Sequence, residues 1–274
     1  MTTTLRPTEP LQRAAGGALS RHFRVYVNGR PVGAVHLATD PDFGPAVARI
    51  TDLGIDVPDR GRGRGTVAAL AAEEIARGWG CARMEIAVPA AAGAALRLAT
   101  ALGYVQRNRR MRKPLGDVPP ALPAGSRGRA MTEAEFGPWN AQAMKGYAQS
   151  WIDRGVPADA ARARAERDHA RLLPDGPATA DTVLSVLEHE GTRVGTLWLS
   201  VAADRAYVYR VEAGERFRGR GHGRALMLLA EAETTAAGHR FLGLNVFAGN
   251  TPAERLYESL GYVPVEYALY KDLL

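Results

Sequence analysis

Arg218-Gly219-Arg220-Gly221-His222-Gly223 stands between a strand-like run, Ala206 to Ala213, and a helical run, Ala225 to Ala237. Strand, glycine turn and helix is the layout of a phosphate-binding loop. Glycines let the backbone approach a ligand closely and take up positive φ. The amides that open the next helix then point at an anion, aided by the helix dipole. Arg-Gly repeats also occur in disordered nucleic-acid-binding segments, so the loop alone does not decide. The residues downstream decide it: Leu244-Asn245-Val246, then Asn250, then Ala253-Glu254-Arg255-Leu256-Tyr257-Glu258-Ser259-Leu260-Gly261-Tyr262.

Outward from the loop, the second half of the chain reads as a mixed α/β unit. Glu133 to Tyr147 and Pro157 to Leu173 are helical, and Thr132 to Glu135 fits a capping box. Thr182 to Glu188 and Val194 to Val201 are strands around Glu190-Gly191, Leu242 to Phe247 is a strand, and Pro252 to Leu260 a helix. In the first half, Thr2 to Arg6 is a short strand, and Leu11 to Ser20 is one helical turn or a loop. His22 to Val27 and Val32 to Thr39 are strands around Asn28-Gly29, a hairpin signal. Asp40 to Pro45 is turn-like, and Ala48 to Val57 is the next strand. Thr66 to Arg77 is a helix, ended by Gly78 or Gly80; Cys81 to Val88 is a strand, Gly93 to Leu102 a helix and Val105 to Lys113 a last strand.

The two halves repeat each other. A shift of 158 carries Arg60, Gly63 and Gly65 onto Arg218, Gly221 and Gly223, and Leu98, Gly103-Tyr104 and Lys113 onto Leu256, Gly261-Tyr262 and Lys271. A shift of 162 carries Gly29 and Val32-Gly33 onto Gly191 and Val194-Gly195. A period this long is a duplicated domain rather than a solenoid. Gly116 to Ala130, with three prolines, has linker composition. The expected division is therefore a domain over 1–118, a linker over 119–130 and a domain over 131–274.

Arg-x-x-Gly-x-Gly, a helix, a strand, then Asn-x-x-Ala-x-x-Leu-Tyr-Glu-x-x-Gly-Tyr resembles the GNAT acyltransferase superfamily, over roughly Asp181 to Leu274. With the repeat, the chain resembles a tandem GNAT protein. The resemblance implies an α/β (α+β) fold of two domains, each a mixed, mostly antiparallel sheet with flanking helices and a splayed parallel strand pair. It implies an acetyl-CoA-dependent N-acetyltransferase acting on a primary amine, by direct attack of the amine on the thioester. The loop residues Arg218, Gly219, Arg220, Gly221, His222, Gly223 and Arg224 would hold the cofactor's phosphates, and Val211, Ala213 and Asn250 would lie along it. A backbone amide near Ala213 would polarise the thioester carbonyl, and Tyr257 would protonate the departing thiolate.

Each of these residues also has an ordinary reading. Tyr257 suits ring packing, and Asn250 suits a helix N-cap. Glu212, or a water it holds, is a candidate base; otherwise it is an exposed strand residue or a partner for Arg210. His222 is expected to turn its ring away from phosphate, His169 to lie on a helix surface, and Cys81 to be a buried inert thiol. No His/Cys cluster has metal-ligand spacing, so no metal is expected. The first half has Ala92 where the second has Asn250, and Ala99 where it has Tyr257. It also lacks the two long helices. Its glycine loop starts at Arg60 or Arg62. It reads as a degenerate copy, able to bind a cofactor without turning it over.

Composition bounds the rest. Among 274 residues, 46% are apolar and 23% charged, which suits folded domains. One cysteine excludes an intramolecular disulfide framework and suits a reducing, cytoplasmic setting. No apolar run approaches the ~18–20 residues needed to cross a bilayer, so no membrane partner is expected. The net charge of +6 favours anionic partners. Because both Arg-Gly segments sit at strand-to-helix junctions, nucleic acid is not expected among them. The expected partner is a small-molecule or peptide amine acceptor, and the protein a monomer or homodimer. The rival reading is a non-catalytic CoA-binding sensor or scaffold.

Overall fold

The computed structural model describes residues 3–14, 17–40 and 44–273. It divides into two compact units, one of residues 1–109 with 265–274 and one of residues 110–264. Each is a mixed, mostly antiparallel sheet with flanking helices and a splayed parallel pair.

The first unit runs β1 (Thr3–Pro7), β2 (Gln12–Arg13), β3 (Leu19–Val27), β4 (Arg30–Asp40), β5 (Gly44–Ile55), α1 (Arg64–Gly78), β6 (Arg83–Pro89) and α2 (Gly93–Ala101). β7 (Val105–Pro114) then leads to the second unit. That unit contains β8 (Ser126–Ala130), α3 (Glu133–Ile152), α4 (Ala158–Leu172), β9 (Thr182–His189), β10 (Thr192–Ala202), β11 (Arg205–Ala213), α5 (His222–Ala236), β12 (Phe241–Phe247) and α6 (Thr251–Ser259). The last strand is β13 (Val263–Asp272).

The hairpin signals fold as read. Asn28 and Gly29 have φ of 50° and 83°, and Glu190 and Gly191 have 48° and 73°. Two consecutive left-handed residues match the right-handed twist of the flanking strands. Beyond each hairpin the two units repeat a further device. β5 pairs parallel with β6 only from Val47↔Arg83 to Ile50↔Ile86, and β11 pairs with β12 only from Ala206↔Leu242 to Val208↔Leu244. The next residue, Thr51 or Tyr209, is the extra residue of a bulge against the antiparallel neighbour. A bulge bends its strand and adds twist, so the parallel partners part there. The wedge that opens is what a long, thin ligand needs.

Alternation buries Phe23, Val25 and Val27 of β3 in one core cluster with Ala68, Ala72 and Ala76 of α1. The alanines recur every four residues, so one small-residue face lets the helix lie close to the sheet. In the second unit Leu197, Leu199, Leu242 and Leu244 pack on Leu226, Met227 and Ala230 of α5.

The terminal strands do not stay with their own halves of the sequence. β13 pairs antiparallel with β6, from Glu266↔Pro89 to Asp272↔Arg83. The end of β7 runs beside β12: Leu115 N–H donates to Arg240 O at 2.8 Å, and the Arg112 guanidinium sits 4.6 Å from the Phe241 ring centre. Each half thus gives its last strand to the unit built mainly by the other.

Three local expectations change. Within Leu11 to Ser20, Gln12–Arg13 form a strand on β3, and β3 itself starts at Leu19. Residues 126–130, read as linker, form β8 on β9; a Cβ on Gly128 would meet the Leu229 methyl Cδ1 at 2.5 Å, so the glycine leaves room for Leu229 as it lies there. Val57, read as a strand end, opens a short 3₁₀ turn, Val57–Asp59. Part of the Asp40–Pro45 turn lies outside the described residues.

Candidate active site

The glycine loop of the second unit sits at the end of β11. Gly219 and Gly221 have φ of 75° and 84°, and Gly221 is the N-cap of α5 with no side chain capping it. The first amides of a fifteen-residue helix are therefore open to an anion. Gly223 lets α5 approach α6, because a Cβ there would lie 3.2 Å from Leu256 Cδ2. Arg218 and Arg220 are exposed beside the loop. Arg224 is exposed too, but its Nη2 donates to Ser259 Oγ at 2.6 Å, which ties α5 to α6. His222 is buried and turned into the protein, its ring 5.1 Å from His189 and 6.1 Å from Phe217. Burial lowers its pKa. Backbone amides at the helix start, two free guanidiniums and the wedge beyond Val208 together suit a polyphosphate with a narrow tail.

The first unit keeps this loop. Gly61 and Gly63 have φ of 71° and 72°, Gly63 is the N-cap of α1, and a Cβ on Gly65 would meet Leu98 Cδ2 at 3.4 Å. That backbone match settles the alignment on Arg60 as the first loop residue. In place of His222 stands Arg64, buried against Asp59, which also accepts from both Arg30 nitrogens at 2.7 and 2.9 Å.

Tyr257 lies on α6, 6% exposed and packed edge-on to Tyr262 with ring centres 6.0 Å apart. Among the described residues its hydroxyl makes no hydrogen bond. Burial pushes its pKa up to about 12, so the proton stays on oxygen at neutral pH. Asn250 caps the same helix, its Oδ1 accepting from Ala253 N–H at 3.4 Å.

Glu212 stands past the bulge, opposite Thr196 of β10. Its Oε2 accepts from Arg210 Nε and Nη2 at 3.1 and 2.8 Å, as the ordinary reading of the sequence has it. It also lines a cavity of about 950 Å³ walled by Pro138, Trp139 and Gln142 of α3, by β10, and by Glu215, Arg216 and Phe217. Val211 and Ala213 flank it on the strand, both half-buried. Gly195 allows the strand to pass: a Cβ would lie 2.6 Å from Glu212 O. The equivalent contact in the first unit is Gly33 against Gly54 O, so Gly54 occupies the place of Glu212.

His169 corrects the surface reading. It is 5% exposed, its Nδ1 is 2.7 Å from Asn140 Oδ1, and its ring packs on Trp198 at 5.0 Å. Burial, with Arg210 nearby, lowers its pKa to about 4. It stiffens the α3–α4 wall. The cavity wall from Trp139 and Thr196 was not read from the sequence, where neither stands in a motif. Cys81 is buried as expected, which raises its thiol pKa.

The Acetyltransferase (GNAT) family model matches residues 3–104 and again 146–262. The chain belongs to the GNAT acetyltransferase family. It carries two copies of the family's fold, and it is an acetyltransferase. The mycothiol acetyltransferase of Beutenbergia cavernae is 29% identical over 276 residues, covering 92% of this chain and 89% of that one. The N-acetyltransferase YdgE of Bacillus subtilis is 26% identical over 149 residues, 52% of this chain and 95% of YdgE. Among solved structures, a GCN5-related N-acetyltransferase from Sphaerobacter thermophilus aligns with a TM-score of 0.56 at 20% identity, over 92% of this chain and 80% of that one. A tandem GNAT protein from the clavulanic acid biosynthesis pathway aligns with a TM-score of 0.50 at 19% identity, over 96% and 85%. Among the described residues no helix is long and apolar enough to cross a membrane.

Proposed function

We propose that the second unit transfers the acetyl group of acetyl-CoA to a primary amine, and that the first unit is not catalytic. What supports this is a buried tyrosine, free at its hydroxyl, in the same core cluster as Val208 of β11 and Leu244 of β12, the last pair before those strands part. The cosubstrate supplies an activated thioester. The loop amides, with Arg218 and Arg220, hold its phosphates, and Val211, Ala213 and Asn250 lie along its path. The acceptor enters the cavity beside Trp139 and Glu212. Glu212, or a water on it, takes the proton the amine must lose. The amine nitrogen bonds to the acetyl carbon as the carbon–sulfur bond breaks. Tyr257 then gives its proton to the sulfur, and its pKa of about 12 makes it a proton donor rather than a base.

The test is thiol release from acetyl-CoA against a panel of small amines and peptides, with product mass read alongside. Acetylated amine formed together with free CoA is the expected outcome. Tight acetyl-CoA binding with no thiol released across the panel would favour a binding protein instead.

A further inference from the structure

Glu231 on α5 is only 3% exposed, yet carries a carboxylate. Its partner comes from β7: Lys113 Nζ donates to both carboxylate oxygens at 2.8 Å. The same ammonium lies 5.8 Å from the centre of the Tyr262 ring. Tyr262 is 2% exposed and sits beside Glu231; burial first, and then the Glu231 charge, raise its hydroxyl pKa. Tyr262 in turn grips the helix of the proposed acid. Its N–H donates to Tyr257 O at 3.0 Å, and its ring meets the Tyr257 ring edge-on. A continuous contact path therefore runs from Lys113 through Glu231 and Tyr262 to Tyr257.

The first unit contains the same cluster, shifted by 158 residues. Lys271 Nζ donates to Glu73 at 2.7 Å and lies 5.7 Å from the Tyr104 ring centre, and Tyr104 N–H donates to Ala99 O at 3.0 Å. There the path ends on alanine. The cluster is thus a scaffold in both units, and only in the second does it end on a residue with chemistry to perform.

We infer that Lys113 is a positioning residue for acetyl transfer, acting through Glu231 and Tyr262 on the aim of Tyr257. The inference rests on the reading of Tyr257 as the acid. Removing one partner of a buried ion pair leaves a charge that must take up a proton or find water. Either change disturbs Tyr262, which fixes the last turn of α6. A misplacement on the order of 1 Å costs up to ~10²-fold in rate, and the effect passes here through two intermediaries.

The experiment is a kinetic double-mutant cycle on the full chain. Lys113→Met is expected to lower kcat roughly 10-fold, with KM for acetyl-CoA changed less than about 3-fold. In a Tyr257→Phe background Lys113→Met should lower kcat no further, and Lys113→Arg should restore most of the rate. Lys271→Met, which breaks the twin pair in the first unit, should leave kcat unchanged. If Lys113→Met does not fold, Lys113→Met with Glu231→Gln removes both charges and is expected to show the same loss and the same non-additivity. An equal drop in both backgrounds, or an unchanged kcat, overturns the inference alone. A Tyr257→Phe enzyme with full kcat overturns the acid reading, and this inference with it.

Discussion

The two units share a scaffold down to single residues and differ in what they hang on it. Both have the left-handed hairpin, the bulge at Thr51 or Tyr209, the positive-φ glycine loop and a buried Glu–Lys–Tyr cluster. Only the second has Tyr257 in place of Ala99, a carboxylate at Glu212 in place of Gly54, and the α3–α4 wall. The shared features are those the backbone demands: a turn that needs positive φ, a strand that must bend, a buried charge that must be paired. The unshared ones carry the chemistry, although Tyr257, Trp139 and Ala143 are also buried in the core of the second unit. Geometry and chemistry are thus separable on this fold, and the comparison can be attacked one feature at a time.

The largest effect should come from removing the hydroxyl that only one unit has. Tyr257→Phe keeps the ring and its packing, so kcat should fall by ~10²–10⁴-fold with acetyl-CoA affinity nearly unchanged. Thiol release at neutral pH measures the first and calorimetric titration the second. Free thiols titrate near ~8.5, so the defect should shrink above that pH. Ala99→Tyr, the reciprocal change, should add no activity, because the first unit also lacks the carboxylate and the wall. A second active centre from that substitution would break the separation.

The next prediction concerns the wall. The folded-state pKa of His169, about 4, lies below its ordinary value near 6.5. Between these values the unfolded chain binds more protons than the folded one. The stability contributed is thus fully present above about 6.5 and is lost as pH falls toward 4, on the order of 3 kcal/mol in all. Urea midpoints read by tryptophan fluorescence at pH 7.5 and 4.5 should show this loss. His169→Gln should flatten the pH dependence; an unchanged slope would mean that the wall is not the acid-labile part.

Gly33→Ala and Gly195→Ala probe the shared scaffold. A Cβ would approach a carbonyl oxygen at 2.2 and 2.6 Å respectively, so each should cost roughly 1–3 kcal/mol in thermal or urea unfolding. Only Gly195→Ala should also reduce kcat, since the carbonyl it strikes belongs to Glu212. Equal kinetic damage from both would show that the first unit takes part in turnover. The smallest effect belongs to the helix that only the second unit has. The Thr132 hydroxyl donates to Glu135 Oε2 at 3.0 Å in the capping box of α3, and Thr132→Ala, which removes it, should cost about 1 kcal/mol in urea unfolding.

Legibility divides along the same line. Asn28-Gly29, the glycine loops and the 158-residue repeat stood in the sequence because each needs particular residue types in a row. The strand exchange did not. β7 and β13 are equivalent under that repeat, and Lys113 and Lys271 fit equivalent slots, so either strand satisfies either unit. Nor did β8, whose Ser126-Arg127-Gly128-Arg129-Ala130 has no apolar alternation. It is held by backbone pairing and by Glu188, which accepts from Arg127 and Arg129 at 2.9 and 2.7 Å. The burial of His169 was hidden by its charged neighbours Asp168 and Arg171, which face elsewhere on the same helix. Of the site, Tyr257, Asn250 and the loop were legible from their motif, whereas the cavity wall depends on β10 and α3 meeting in three dimensions.

The placement of β13 also orders events during synthesis. Residues 265–274 complete the sheet of the first unit, yet they leave the ribosome after all of 110–264. At ~5–20 residues per second that interval is about 10–30 s. Throughout it β6 lacks its final partner, and such an edge is the kind of surface that recruits stray strands. The nascent first unit must therefore wait for a strand encoded at the far side of its sister, and until then β7, which fits the equivalent slot, competes for the same edge.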